Sequence, residues 1–247
     1  MTIPRIDILG VPVDCLTSRE AIGAVGRMLH TSRPDSVIAV NPEKVMQARR
    51  NPRLLEQLMQ TSLLIPDGIG VVWAARRKSG RRVQRVAGAD LMPEVCEMAR
   101  QQGSRIFLFG GKPGISDRVA LSLQSRHSGI NIVGTQHGYV AEPDMDALIA
   151  RINDLKTDIL FLALGSPKQE CWMARYLPRL NIKLCQGVGG TFDVLAGHVR
   201  RAPKVFQICH TEWLYRLLTN PTRLSRQQNL VPYVFLTLKH HVLGVRH

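Results

Sequence analysis

The stretch Arg105-Ile106-Phe107-Leu108-Phe109-Gly110-Gly111-Lys112-Pro113-Gly114 decides the fold class. An apolar run of strand length, with no polar alternation, stops at a glycine-rich polar turn. Two later stretches repeat the pattern. Asp158 to Leu164 ends at Gly165-Ser166-Pro167-Lys168-Gln169-Glu170, and Ile182 to Val188 ends at Gly189-Gly190-Thr191-Phe192-Asp193. Runs of this kind suit parallel strands covered by helices on both faces. In an open parallel sheet the ligand crevice lies outside the carboxyl ends of the strands, where loops enter helix N-termini. The polar residues of these turns are therefore expected to share one crevice, as in an enzyme or a nucleotide binder.

Strand and helix signals alternate on the N-terminal side of that centre. Ile6 to Leu9 and Val11 to Val13 read as short strands, and Thr17-Ser18-Arg19-Glu20 is a capping box opening a helix to about His30. Val37 to Val40 is a strand ending at Asn41-Pro42, which suits an N-cap and first helical position. Asn51-Pro52 repeats the signal. Leu63 to Ile65 is a short buried strand broken by Pro66-Asp67-Gly68, with a helix from Ile69 to Arg77 behind it. Asp90 is expected to cap a helix through Gln102. Ile130 to Val133 and Asp144 to Asn153 add a strand and a helix. Six or so strands separated by helices imply an α/β, Rossmann-like, doubly wound and mainly parallel sheet. Residues 1–195 are read as that domain and 196–247 as a basic helical appendage.

Charge sets the partner classes. The 247 residues carry 33 Lys and Arg against 19 acids, a net +14. From Arg200 onward eight basic residues face one acid, Glu212, so half of the excess sits in about a fifth of the chain. Such a balance suits nucleic acid, an acidic lipid surface or a phosphorylated substrate. Nucleic acid is not expected, because aromatics are only 5% and no recognised binding signature is present. Leu217, Leu218, Leu224, Val231 and Phe235 interleaved with the basic residues read better as contact with an anionic membrane surface. Truncation after about Thr219 is expected to leave a folded domain without lipid binding. Five scattered cysteines without a Cys-x-x-Cys pair suggest core residues in a reducing compartment. With no signal-peptide pattern and no apolar stretch of about 18 residues, a cytoplasmic protein at the inner membrane face is expected.

Asn41, Asp67, Gln169 and Asp193 lie at strand ends. Asp67 is the sharpest, a carboxylate on a turn that permits close approach; a helix cap is the plainer alternative. Gly110 to Gly114 can cradle a phosphate through backbone N–H groups, although the Walker and dinucleotide spacings are absent. Asp144-Met145-Asp146 looks like a metal-binding Asp-x-Asp, but it opens a helix, where acids complement the dipole. The histidines lack metal-ligand spacing. No metal site and no cofactor is read from the sequence.

Asn41, Pro66-Asp67-Gly68, Arg85-Val86-Ala87-Gly88-Ala89-Asp90, Gly165-Ser166-Pro167-Lys168-Gln169-Glu170, Val188-Gly189-Gly190-Thr191-Phe192-Asp193 and Glu212-Trp213-Leu214-Tyr215-Arg216, in that order, resemble the WecG/TagA/CpsF family of bacterial glycosyltransferases. The resemblance runs from about Ile6 to Arg226. It implies a Rossmann-like fold and inverting transfer of a sugar from a UDP donor to a sugar carried on polyprenyl diphosphate, in surface polysaccharide synthesis. N-acetylmannosamine or its uronic acid is the sugar it implies, with a hexose such as glucose as the alternative. Its Pro-Asp-Gly carboxylate falls on Asp67, the implied general base, with Asn41 on the preceding strand. Arg85, Tyr139, Gln169 and Asp193 match donor-pocket positions, beside Gly110, Gly111, Gly165, Gly189 and Gly190 of the glycine turns. Arg216, Arg223 and Arg226 match a basic segment thought to close over the diphosphate. Many members carry Thr where this chain has Ala39, so no hydroxyl acts there.

Inverting transfer needs one base and a set of positive groups for the leaving UDP. With no metal site read, arginines and backbone N–H groups fill the second role, since a guanidinium fork matches diphosphate oxygens. A uronate donor would add a need for one more cation, for which Lys112, Lys168 and Arg85 are candidates. The rival readings are a non-catalytic nucleotide sensor and a nucleic-acid-binding protein; a homo-oligomer is compatible with any of them.

Overall fold

The computed structural model describes residues 3–199, 202, 203, 205, 206, 212, 215 and 229–242. A two-stranded antiparallel hairpin, β1 (Arg5–Ile8) and β2 (Val11–Asp14), precedes the main sheet. That sheet contains β3 (Asp35–Val40), β4 (Leu63–Pro66), β5 (Arg105–Gly110), β6 (Asn131–Gln136), β7 (Ile159–Ala163) and β8 (Leu184–Gly187). Its order is β4-β3-β8-β7-β5-β6, and every pairing is parallel. The doubly wound α/β expectation holds.

Successive residues of each strand feed opposite faces. Ile38, Val40, Phe107, Phe109, Leu160 and Leu162 join one core; Val37, Ile65, Ile106, Leu108, Ile159 and Phe161 join the other. Helices α2 (Pro42–Arg50), α3 (Pro52–Met59), α4 (Ile69–Ser79), α7 (Met145–Asp154) and α8 (Lys168–Tyr176) supply the first core. Helices α1 (Ser18–Met28), α5 (Gly88–Gln102), α6 (Ile115–Arg126) and the short α9 (Thr191–Leu195) supply the second. Both faces of β5, β7 and β8 are covered, so in these strands the period of two leaves no apolar–polar alternation in the sequence.

Local signals act as read at most helix starts. Thr17 and Glu20 exchange the reciprocal bonds of a capping box. Asn41 Oδ1 accepts from the Lys44 amide at 2.8 Å, and Asn51 Oδ1 from the Leu54 amide at 3.2 Å. Several boundaries shift by one to three residues, and two helices show it best. The first helix stops at Met28 instead of His30, and α5 starts at Gly88 with Ala87 as its N-cap. Asp90 therefore does not cap α5; it sits in the first turn, where a carboxylate still complements the dipole.

A last helix, α10 (Leu230–Val242), packs against α2. Its Tyr233 is 1% exposed and belongs to the first core. The ring covers Gly70 so closely that a Cβ there would lie 3.0 Å from it. A chain ending after Thr219 would lose this cover, so the truncation is expected to lower the stability of the sheet domain as well as its lipid binding. Leu217, Leu218 and Leu224 lie outside the described residues. Cys15, Cys96 and Cys185 are buried as expected, and burial pushes the Cys96 thiol up to about 12; Cys171 is exposed.

Candidate active site

The sheet's winding reverses between β5 and β7. The connection from β5 leads outward to β6, while that from β7 leads the other way to β8. Ligand crevices of open α/β sheets form at such switch points. The turns flanking this one are Gly110-Gly111 and Gly165. The first turn is pressed on the end of β7: the Gly111 amide donates to the Ala163 carbonyl at 3.0 Å, and a Cβ on Gly110, whose φ is 137°, would lie 2.4 Å from the same oxygen. Gly110→Ala should therefore force the two strand ends apart and destabilise the protein by roughly 2–4 kcal/mol in thermal unfolding. Gly114→Ala, also at positive φ but with nothing within 4 Å, is the control and should cost only about 1–2 kcal/mol. Equal melting of the two variants would contradict this packing account.

The other sequence candidates lie along the same edge. Tyr139 is 67% exposed and follows Gly138, whose amide donates to the Gly111 carbonyl at 2.8 Å. An exposed ring thus stands beside the first glycine turn. Gly189 and Gly190 follow β8, and Asp193 lies in α9, where its carbonyl accepts from the His198 and Val199 amides. Gln169, 4% exposed, is the second residue of α8 and lies across the end of β8, with its amide nitrogen 2.9 Å from where a Gly187 Cβ would be. Arg216, Arg223 and Arg226 fall outside the described residues.

Asn41 and Asp67 directly follow the adjacent strands β3 and β4. The Asp67 amide donates to the Val40 carbonyl at 2.8 Å, and the Asp67-Gly68 turn rests on Pro42. Asn41 is a true N-cap of α2 as well as a crest residue. The Val86 amide bonds to the Pro66 carbonyl, which lays the Arg85 segment along the end of β4. Arg85 Nε then donates to Asp67 Oδ1 at 3.2 Å, and its Nη2 donates to Glu212 Oε2. Burial works against the Arg85 charge, but the carboxylates of Asp67 and Glu212, with Asp90 nearby, outweigh it and hold its pKa above the usual arginine value.

Backbone supplies further positive potential. Helices α4, α5, α6 and α8 all begin at this edge, and none has a side-chain cap. Their first-turn N–H groups and dipoles favour an anionic ligand. Asp146 of the Asp-x-Asp lookalike is in the first turn of α7 and pairs with Arg179 at 2.8 Å.

A family model described as "Glycosyl transferase WecG/TagA/CpsF family" matches residues 6–246. The chain belongs to this family. It is therefore a glycosyltransferase of the group that builds cell-surface polysaccharides, a class that takes a sugar donor and a lipid-linked acceptor. Two features of this WecG/TagA/CpsF site are pairings that no local spacing gives. One is that of Glu212 with Arg85. The other is the buried ion pair of Lys44 and Glu170, which ties α2 to α8 beneath Asn41 and Gln169. The local sequence offers only a lysine at the third position of a capped helix and a glutamate beside Gln169.

Proposed function

We infer that this glycosyltransferase inverts the anomeric centre of a UDP-linked sugar, N-acetylmannosamine or its uronic acid, and transfers it to a sugar on polyprenyl diphosphate. The observation that carries the reading is Asp67: a carboxylate on the crest of β4, beside Asn41, with its side chain 26% exposed and held by Arg85. In this scheme the Asp67 carboxylate takes the proton of an acceptor hydroxyl as the oxygen attacks the anomeric carbon. The bond to the diphosphate oxygen breaks on the opposite face, and UDP leaves with the electron pair. Arg85, Arg216, Arg223 and Arg226 together with the helix N–H groups stabilise that charge. The Gly110-Gly111 and Gly165 turns and Tyr139 line the donor side, with Gln169, Gly189, Gly190 and Asp193 completing it. Residues 1–195 form the catalytic unit; of 196–247, α10 packs into its first core, and the basic residues before α10 supply the closing cations.

The deciding experiment is a panel of UDP-sugars with a short-chain lipid diphosphate N-acetylglucosamine acceptor. Acceptor-dependent UDP release with an N-acetylmannosamine donor is expected. Turnover with UDP-glucose alone would move the reading to the hexose alternative, and none with any donor would favour a nucleotide sensor.

The acceptor lies in the bilayer, and among the described residues no helix is long and apolar enough to cross it. Peripheral binding at the inner membrane face is the reading we adopt. It is supported by α10, where Val231, Val234, Phe235 and Leu238 are all exposed and share one face at helical spacing, opposite Tyr233 and Thr237. The double variant Val231→Ser and Phe235→Ser should bind anionic vesicles about tenfold or more weakly in sedimentation, with its melting temperature kept. Undiminished vesicle binding would remove α10 from the membrane contact.

A further inference from the structure

Arg85 is the cation assigned above to the donor diphosphate, yet carboxylates already hold it on two sides. Asp67 takes Nε and Glu212 takes Nη2, while the side chains of Arg85 and Glu212 are only 16% and 8% exposed. Asp90 adds a third negative charge within reach of the same guanidinium. Nε and Nη2 are thus already taken by carboxylates, so a diphosphate that grips this edge of the guanidinium takes the place of one of them.

The two bonded acids are not equivalent in that exchange. Asp67 is fixed by its own strand end, one hydrogen bond from β3, and the proposed chemistry needs it in place. Glu212 comes from the basic C-terminal segment, 127 residues along the chain from its partner. A carboxylate and a pair of diphosphate oxygens also present the same acceptor geometry to a guanidinium fork. At Nη2 they are alternatives for the same donor.

We propose that Glu212 is an internal competitor of the donor diphosphate for Arg85: it occupies the guanidinium before UDP-sugar binds, yields it to the diphosphate, and retakes it as UDP leaves. The exchange sets donor affinity. It selects for ligands that bring a diphosphate, because a single phosphate gains less over the carboxylate it replaces. It also limits inhibition by UDP, the more highly charged product. This inference rests on the assignment of Arg85 to the diphosphate.

The test uses the full-length protein and calorimetric titration with UDP and UMP. Glu212→Gln keeps the side chain's size and removes its charge. It should tighten UDP about tenfold, the equivalent of about 1.4 kcal/mol, and UMP by less. The inhibition constant for UDP in turnover should fall in parallel. Arg85→Ala should weaken UDP, and in that background Glu212→Gln should no longer tighten it, which a merely structural glutamate would not predict. If Arg85→Ala weakens UDP but Glu212→Gln leaves it unchanged or weaker, the competitor role is overturned while the diphosphate assignment stands. If Arg85→Ala leaves UDP affinity unaltered, both fall. Should the Gln variant fail to fold, Glu212→Asp, which shortens the carboxylate's reach, should show partial tightening; wild-type affinity in that variant overturns the proposal.

Discussion

Asp67→Asn is expected to lower kcat by about 10²- to 10⁴-fold, the range over which a positioned base contributes, while UDP affinity changes by no more than a few-fold. The asymmetry follows from where the carboxylate sits. Its backbone is pinned to Val40, and its side chain meets Arg85 at the edge of the crevice, so an amide of the same shape preserves the turn and keeps an oxygen for Arg85 Nε. What an amide cannot do is accept the acceptor's proton. Arg85 also retains Glu212, so the guanidinium is not left uncompensated when the aspartate charge is removed. Turnover and UDP binding should thus separate cleanly, with transfer measured on the lipid-linked acceptor and binding by calorimetry. A variant that retained near-normal turnover would take the base role from Asp67. One that lost UDP binding as well would recast the residue as a donor contact.

How far this site could be read from the chain depends on the reach of each signal. Strand runs and caps are local: the apolar stretch from Arg105 to Phe109 is a strand because both its faces are covered, and Asn41 and Asn51 are caps because Pro follows each. Once those elements sit in a parallel sheet, chain direction alone carries every strand-end residue to one edge. That is why Asn41, Asp67, Gly110, Gly165, Gln169 and Gly189 share it. Strand order is not local, and neither is pairing across the crevice. Arg85 and Glu212 are separated by 127 residues, and no spacing rule links them. Asp90 shows the opposite failure: an acid near a helix start suggests the cap, yet the helix begins two residues earlier at Gly88, whose carbonyl accepts from the Gln186 amide of β8. Tertiary contact fixed that boundary.

Lys44→Met should lower stability by about 3–5 kcal/mol, a melting temperature reduced by roughly 10 °C, because it strands a buried charge. Lys44 is 7% exposed at its side chain and its partner Glu170 is 0% exposed. Removing the ammonium leaves Glu170 Oε1 with one neutral donor, the Gln169 amide at 3.1 Å, and Glu170 Oε2 has no partner among the described residues even in the intact protein. An incompletely satisfied pair of this kind gives little net stability over an apolar replacement. The double variant Lys44→Met and Glu170→Leu should therefore recover much of the loss, giving a strongly non-additive cycle in thermal unfolding. Activity should not recover with it. The pair joins the first turn of α2, capped by Asn41, to the first turn of α8, which carries Gln169, and two leucine-sized groups cannot reproduce the hydrogen bond that orients the Gln169 amide over Gly187. A single variant melting within a degree or two of wild type would show that water reaches the pair. A double variant with full activity would show that Gln169 is placed by packing alone.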